Sequence, residues 1–150
     1  MVHVSFFANK IVVKLELNVR HIIMTIPTHG CLPSLKSLHV GGVDFVDNDS
    51  FRKLLFGCLV LEELFISSFK DFQNLINYSL ANLHALLNAE MSVLHPRLSQ
   101  LVDLDATTNL LNEISNVLSL SCNDDLLSAL TLCKKPLPVF PNLDHLLIRR

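Results

Sequence analysis

The 150-residue chain contains no tryptophan, one tyrosine and four glycines. These scarcities exclude collagen-like and Gly/Ser-linker compositions and leave little from which to build an aromatic cage. Long hydrophobic runs are missing as well. The longest, such as Leu54–Leu61, falls far short of the ~18–20 residues needed to cross a bilayer, so neither a transmembrane helix nor a membrane partner is expected. The start, Met1 to Lys10, has no basic leader and no extended apolar core, and it does not read as a signal peptide. Positive charge is thin. The twelve Lys and Arg are adjacent only at Arg52–Lys53, Lys134–Lys135 and Arg149–Arg150, within a formal net charge of −2. A protein that tracks phosphates needs a dense basic patch, so nucleic acid is not an expected partner. The four cysteines, Cys31, Cys58, Cys122 and Cys133, form no C-x-x-C and meet no histidine pair at zinc spacing. They read as reduced, packed small hydrophobes, which places the chain in a reducing compartment, nucleus or cytoplasm.

Catalytic signatures are absent too. None of the seven histidines belongs to an H-E-x-x-H, and no G-x-S-x-G, P-loop or G-x-G-x-x-G occurs. His39 and Asp44 are near in sequence but lack an organised third partner, and they read as solvated strand and loop residues. Asp44, Asp47 and Asp49 superficially suggest a calcium loop, yet the required glycine and the closing glutamate are missing, so helix capping accounts for them better. The expectation is a non-enzymatic protein with no catalytic, cofactor or metal site.

What the sequence has in excess is leucine, in a chain that is 50% hydrophobic. That much apolar surface can offset the entropy of ordering, so disorder is excluded. The leucines recur on the template L-x-x-L-x-L. Leu35, Leu38 and Val40 fit it, and Leu61, Leu64 and Ile66 fit it one period further on. Val117, Leu120 and Cys122 fit, and so do Leu143, Leu146 and Ile148, displaced by the same interval at all three positions. Val12, Leu15 and Leu17 precede the first set by a slightly shorter interval. Leu101, Leu104 and Ala106 match less well, and Leu80, Leu83 and Ala85 lie in a stretch that also has helical spacing.

The last two template positions are two apart, so in a strand both point to one face. One such strand cannot bury that face alone, but stacked repeats bury it as a continuous ladder. Both intervals fall within the roughly 20–29 residues of a leucine-rich repeat. The expected fold is therefore α/β: a leucine-rich-repeat solenoid with parallel strands on one side and short helices and loops on the other. Gly41–Gly42 is expected to end one strand. Asp49 or Ser50 would then cap a short helix striped by Phe51, Leu54 and Leu55 and stopped by Gly57. Leu110, Leu111 and Ile114 mark a similar helix. The chain reads as one partial domain, 1–150, with a degenerate middle at 67–97 that holds one or two irregular repeats before Pro96 breaks the pattern.

The run Cys31-Leu-Pro-Ser-Leu-Lys-Ser-Leu-His-Val40, the block Ser50-Phe-Arg-Lys-Leu-Leu-Phe-Gly-Cys58, and then Leu61-Glu-Glu-Leu-Phe-Ile66 resemble the leucine-rich region of plant F-box/FBD/LRR-repeat proteins. So do Ile114-Ser-Asn-Val117 and Leu137-Pro-Val-Phe-Pro-Asn-Leu-Asp-His-Leu146. Leu59 stands where that family usually has proline, and Phe56 where it has a small residue. The resemblance implies a fragment that lacks the F-box and the FBD segment. It also implies a protein-interaction role, the substrate-recognition half of an F-box subunit in a Skp–cullin–F-box ubiquitin ligase. The ligase adaptor would be a partner only of a longer product that carries an F-box. The alternative is a truncated structural relic without a partner.

If a partner binds, the expected surface is the concave strand face, made by residues between the buried template positions. These are Glu16, His39, Phe65, Asp105, Ser121 and Leu147, flanked by Lys14, Ser37, Glu63, Ser67, His145 and Arg149. His39, Phe65, Asp105 and Leu147 are the candidate contact residues, because apolar residues ringed by polar ones mark protein-binding sites. An open last strand, covered only by Arg149–Arg150, further implies marginal stability or self-association.

Overall fold

The computed structural model describes residues 2–3, 5–18, 23–25, 32–41, 44–45, 53–67, 83–92, 108, 111–131 and 136–150. Nine strands occur among them in chain order: β1 (Val2–His3), β2 (Lys14–Asn18), β3 (Ile23–Thr25), β4 (Ser37–Gly41), β5 (Asp44–Phe45), β6 (Glu63–Ser67), β7 (Asn88–Ser92), β8 (Ser119–Asn123) and β9 (His145–Arg149). One helix, α1 (Asp124–Thr131), follows β8. Six strands form a parallel sheet in the order β2-β4-β6-β7-β8-β9, and β1-β3-β5 form a small second parallel sheet. Every pairing in the large sheet joins successive repeats. This is the leucine-rich-repeat α/β solenoid that the leucine spacing predicts.

The register follows from the repeat. Leu15, Leu38, Leu64, Ala89, Leu120 and Leu146 are Cα partners in one line across the sheet. Leu17, Val40, Ile66, Met91, Cys122 and Ile148 form the next. From β4 to β8 both lines are buried in one core, which also holds Leu35, Leu61, Leu86 and Val117 from the turns before the strands. At β9 the lines stay in register but open to solvent: Leu146 and Ile148 are 54% and 47% exposed, against 6% and 8% for Leu120 and Cys122. Leu146 and Ile148, expected in the repeat core, are thus in its register but outside its buried part, because no described strand covers β9. At the other side, Ser5–Ala8 forms a 3-10 turn whose Phe7 is fully buried with Leu17, and Val12 and Leu15 pack against the core.

A tight turn precedes each strand of the large sheet. Leu35 N–H donates to Leu32 O, Leu61 to Cys58, Leu86 to Leu83, Val117 to Ile114 and Leu143 to Phe140, at 3.1–3.4 Å. In the first repeat Asn9 does this work with its side chain, Oδ1 accepting from Ile11 N–H and Val12 N–H at 2.8 and 3.1 Å. The template therefore extends three positions upstream, to an apolar residue that closes the turn. After the turn, one carbonyl of each repeat accepts two successive N–H groups of the next. Val13 O takes Lys36 and Ser37, Lys36 O takes Glu62 and Glu63, Glu62 O takes Leu87 and Asn88, Leu87 O takes Leu118 and Ser119, and Leu118 O takes Asp144 and His145.

The return segments bury apolar stripes. Residues 53–56 are helical with Leu54 and Leu55 buried, and Gly57 N–H donates to Lys53 O and Leu54 O, which closes the last turn as expected. Cys58 is fully buried, and its thiol donates to Leu54 O at 3.0 Å, so it serves as a small hydrophobe with one satisfied donor. Residues 111–113 are helical, with Leu111 and Ile114 buried as the spacing predicts. Cys58 and Cys122 are both buried in the core.

β4 ends at Gly41, as expected, and Gly41 is its last paired residue, opposite Asn18 and Ser67. Other features differ from the sequence reading. Asp44 lies in a strand, β5, rather than a loop. In the degenerate middle the repeat sits at Leu86, Ala89 and Met91, with Leu83 as its turn residue rather than a strand position. Ala89 is small, which hides this register from a search for leucines. The weaker match at Leu101, Leu104 and Ala106 lies outside the described residues, as do Asp47, Asp49, Ser50, Phe51, Leu110, Cys31 and Cys133. In the large sheet β7 and β8 are direct neighbours. The repeat pattern does not anticipate the helix α1, though its signals are present: Asn123 Oδ1 accepts from Leu126 N–H at 3.2 Å, Asp124 and Asp125 occupy the first turn, and Leu126 and Leu130 are buried.

The ladder makes a stability prediction. Leu64 is fully buried at its centre and Leu146 half exposed at its end. In urea melts, Leu64→Ala should cost about 2–5 kcal/mol, whereas Leu146→Ala should cost less than about 1 kcal/mol. Equal costs would contradict this core.

Candidate functional site

Strand alternation puts the residues between the core lines on the opposite face of the sheet. The pairing register arranges them as Glu16, His39, Phe65, Glu90, Ser121 and Leu147 across all six strands. On one side runs the line Lys14, Ser37, Glu63, Asn88, Ser119 and His145. On the other, Asn18, Gly41 and Ser67 are partners on β2, β4 and β6.

Three of the four predicted contact residues, His39, Phe65 and Leu147, share the central line. The fourth, Asp105, lies outside the described residues, and Glu90 stands between Phe65 and Ser121. Placing Ala89 and Met91 on the template would have found Glu90. His39 and Phe65 are in contact, with ring centroids 4.1 Å apart and planes inclined at 46°. Leu147 is 38% exposed on β9. It is three strand spacings from Phe65, roughly 14 Å, so the two apolar residues form separate patches.

Around the ring pair the face forms a hollow of about 230 Å³, lined by Glu16, Asn18, His39, Gly41, Phe65, Ser67 and Glu90, with the edges of Val40 and Ile66. Gly41 keeps it open. A Cβ there would lie 2.7 Å from Ser67 Oγ and 3.4 Å from Asn18 Oδ1, so only glycine lets these two side chains converge without a shift. Exposed ion pairs hold the carboxylates from outside. Lys14 Nζ is 2.7 Å from Glu16 Oε1, and Arg149 Nη1 is 3.4 Å from Glu90 Oε1. Lys36 and Glu62 make a third pair at 3.2 Å. The hydrogen bond and charge of Lys14 lower the Glu16 pKa, and Glu16 raises that of Lys14. Burial raises the pKa of the Cys122 thiol, consistent with its place in the core.

Among the described residues, no cluster of three or more His, Cys, Asp or Glu could hold a metal, and no helix is long and apolar enough to cross a membrane. The geometry of the described residues offers a largely polar strand face with an aromatic patch at His39 and Phe65.

Comparison with known proteins agrees with the repeat. The Leucine Rich Repeat family matches residues 34–59, the stretch from the turn before β4 to the turn before β6. An F-box/FBD/LRR-repeat protein of Arabidopsis thaliana is 48% identical over 48 residues, 32% of this chain and 12% of the relative. Another from the same plant is 35% identical over 91 residues, 59% of this chain and 21% of the relative. The similarity lies in the leucine-rich-repeat stretch, which resembles that of these relatives. An F-box/LRR-repeat protein of Arabidopsis thaliana extends the similarity to 95% of this chain, at 27% identity over 206 aligned residues and 43% of its own length. The repeat region thus spans less than half the length of these relatives. No solved structure matches it.

The Lys14–Glu16 pair supplies a pH test. Carboxyl-carbon NMR should show Glu16 titrating below the ordinary 4.5, and Lys14→Met should return it toward that value. The pair's contribution is present above the ordinary carboxylate pKa and is lost as pH falls through the lowered one. An unchanged Glu16 titration in Lys14→Met would contradict the pairing.

Proposed function

We propose that this region is a non-catalytic protein-interaction module that binds a protein partner on its strand face, with residues 1–150 forming one partial repeat domain. The observation that carries this reading is the His39–Phe65 pair, half-buried rings set among polar and charged residues of the face. An aromatic anchor within a polar surround is the arrangement from which protein-binding hot spots are built. The relatives' names point the same way, toward repeat-bearing F-box proteins.

In the family role, the strand face holds a substrate for a Skp–cullin–F-box ubiquitin ligase, and the contact with the ligase adaptor belongs to an F-box in a longer product. Catalysis would be the ligase's, and this region would contribute stoichiometric binding alone. No cofactor enters the scheme.

Proximity labelling in plant cells tests it, with wild type compared with a Phe65→Asp, Leu147→Asp double variant. A set of proteins labelled by the wild type and lost in the variant is expected. Equal labelling by both would contradict binding on this face and favour a structural relic. Direct capture of purified Skp adaptor by this chain would contradict the division of labour.

A further inference from the structure

The hollow on the strand face carries a charge pattern that the general interaction role does not explain. Its two carboxylates, Glu16 on β2 and Glu90 on β7, form opposite walls, the His39–Phe65 rings form the floor between them, and no lysine or arginine lines it. Lys14 and Arg149 reach the carboxylates only from outside the hollow, through exposed ion pairs of the kind that gains little in water. An incoming cation can therefore displace them with little loss.

Spacing sharpens the match. Glu16 and Glu90 are three strand positions apart in the register, which corresponds to roughly 14 Å across the sheet. An extended peptide rises about 3.4 Å per residue and projects alternate side chains the same way, so its residues i and i+4 are about 13.5 Å apart on one side, with i+2 midway.

We infer that the hollow receives an extended segment of a partner protein lying across the strands, with basic side chains at i and i+4 and an apolar or aromatic side chain at i+2. The basic groups meet Glu16 and Glu90, and the central side chain packs on Phe65 and His39. Asn18 Oδ1 and Ser67 Oγ, converging over Gly41, offer polar contacts to the segment's backbone. This inference rests on the reading of the strand face as the partner-binding surface, and it adds the chemistry of the partner.

The test uses the full chain and fluorescein-labelled synthetic peptides, read by anisotropy. One peptide contains Lys-Ser-Phe-Ser-Lys, a second Glu-Ser-Phe-Ser-Glu, and a third has the two lysines adjacent to the phenylalanine. The first should bind at least about tenfold tighter than either of the others and should weaken as salt rises. Glu16→Lys, Glu90→Lys and Phe65→Ala should each weaken it about tenfold, while Val139→Ala, at an exposed residue that does not line the hollow, leaves it unchanged. Circular dichroism melts of the charge variants confirm that the fold is intact. Failure of the first peptide to bind, or equal binding of the basic and acidic peptides, would overturn the inference. In cells the two readings separate. If labelling is lost in the double variant of Phe65 and Leu147 but kept in Glu16→Lys and Glu90→Lys, the face binds partners and the basic segment is wrong.

Discussion

One backbone carbonyl in each repeat accepts two successive N–H groups from the next, and the rest of the structure depends on that shared acceptor. It occurs at all five steps of the large sheet, at Val13, Lys36, Glu62, Leu87 and Leu118. The bond pair fixes where each strand begins relative to its neighbour. Once that is fixed, strand alternation sends one set of side chains to the core and the other to solvent, and a shift by a single residue would exchange them. The leucine ladder and the polar strand face are two consequences of one register.

The register explains why segments of unequal length are tolerated. Corresponding turn residues Leu61, Leu86 and Val117 are separated by different lengths of chain, yet β6, β7 and β8 remain adjacent and in line. In a solenoid each repeat contacts only its neighbours, so a longer return segment need not disturb the strand that follows. Gly41 shows the same constraint acting on the surface. Its position in the register brings Asn18 and Ser67 together over it, and the missing side chain becomes part of the hollow.

The architecture can be read from the sequence because its period is written in large apolar residues. Leu38, Leu64, Leu120 and Leu146 announce the line they form. Where the core position is occupied by Ala89, the volume is smaller and the signal fades, so this repeat and the outward-facing Glu90 escape the pattern. Periodicity gives the register of β9, and the open last strand expected from the sequence is seen in the exposure of Leu146 and Ile148. For the site, alternation alone puts His39, Phe65 and Leu147 on one face. The contact between the two rings, the notch at Gly41 and the pairing of Glu90 with Arg149 depend on cross-strand neighbours and cannot be seen along the chain.

The central claim is that residues one repeat apart are neighbours across the sheet. It is tested most directly by through-space NMR contacts in isotope-labelled protein. The account predicts cross-peaks between the rings of His39 and Phe65, and backbone contacts that join Leu38 to Leu64 and Leu64 to Ala89. Contacts confined to positions three and four apart, or a cross-strand pattern offset by one residue, would contradict it.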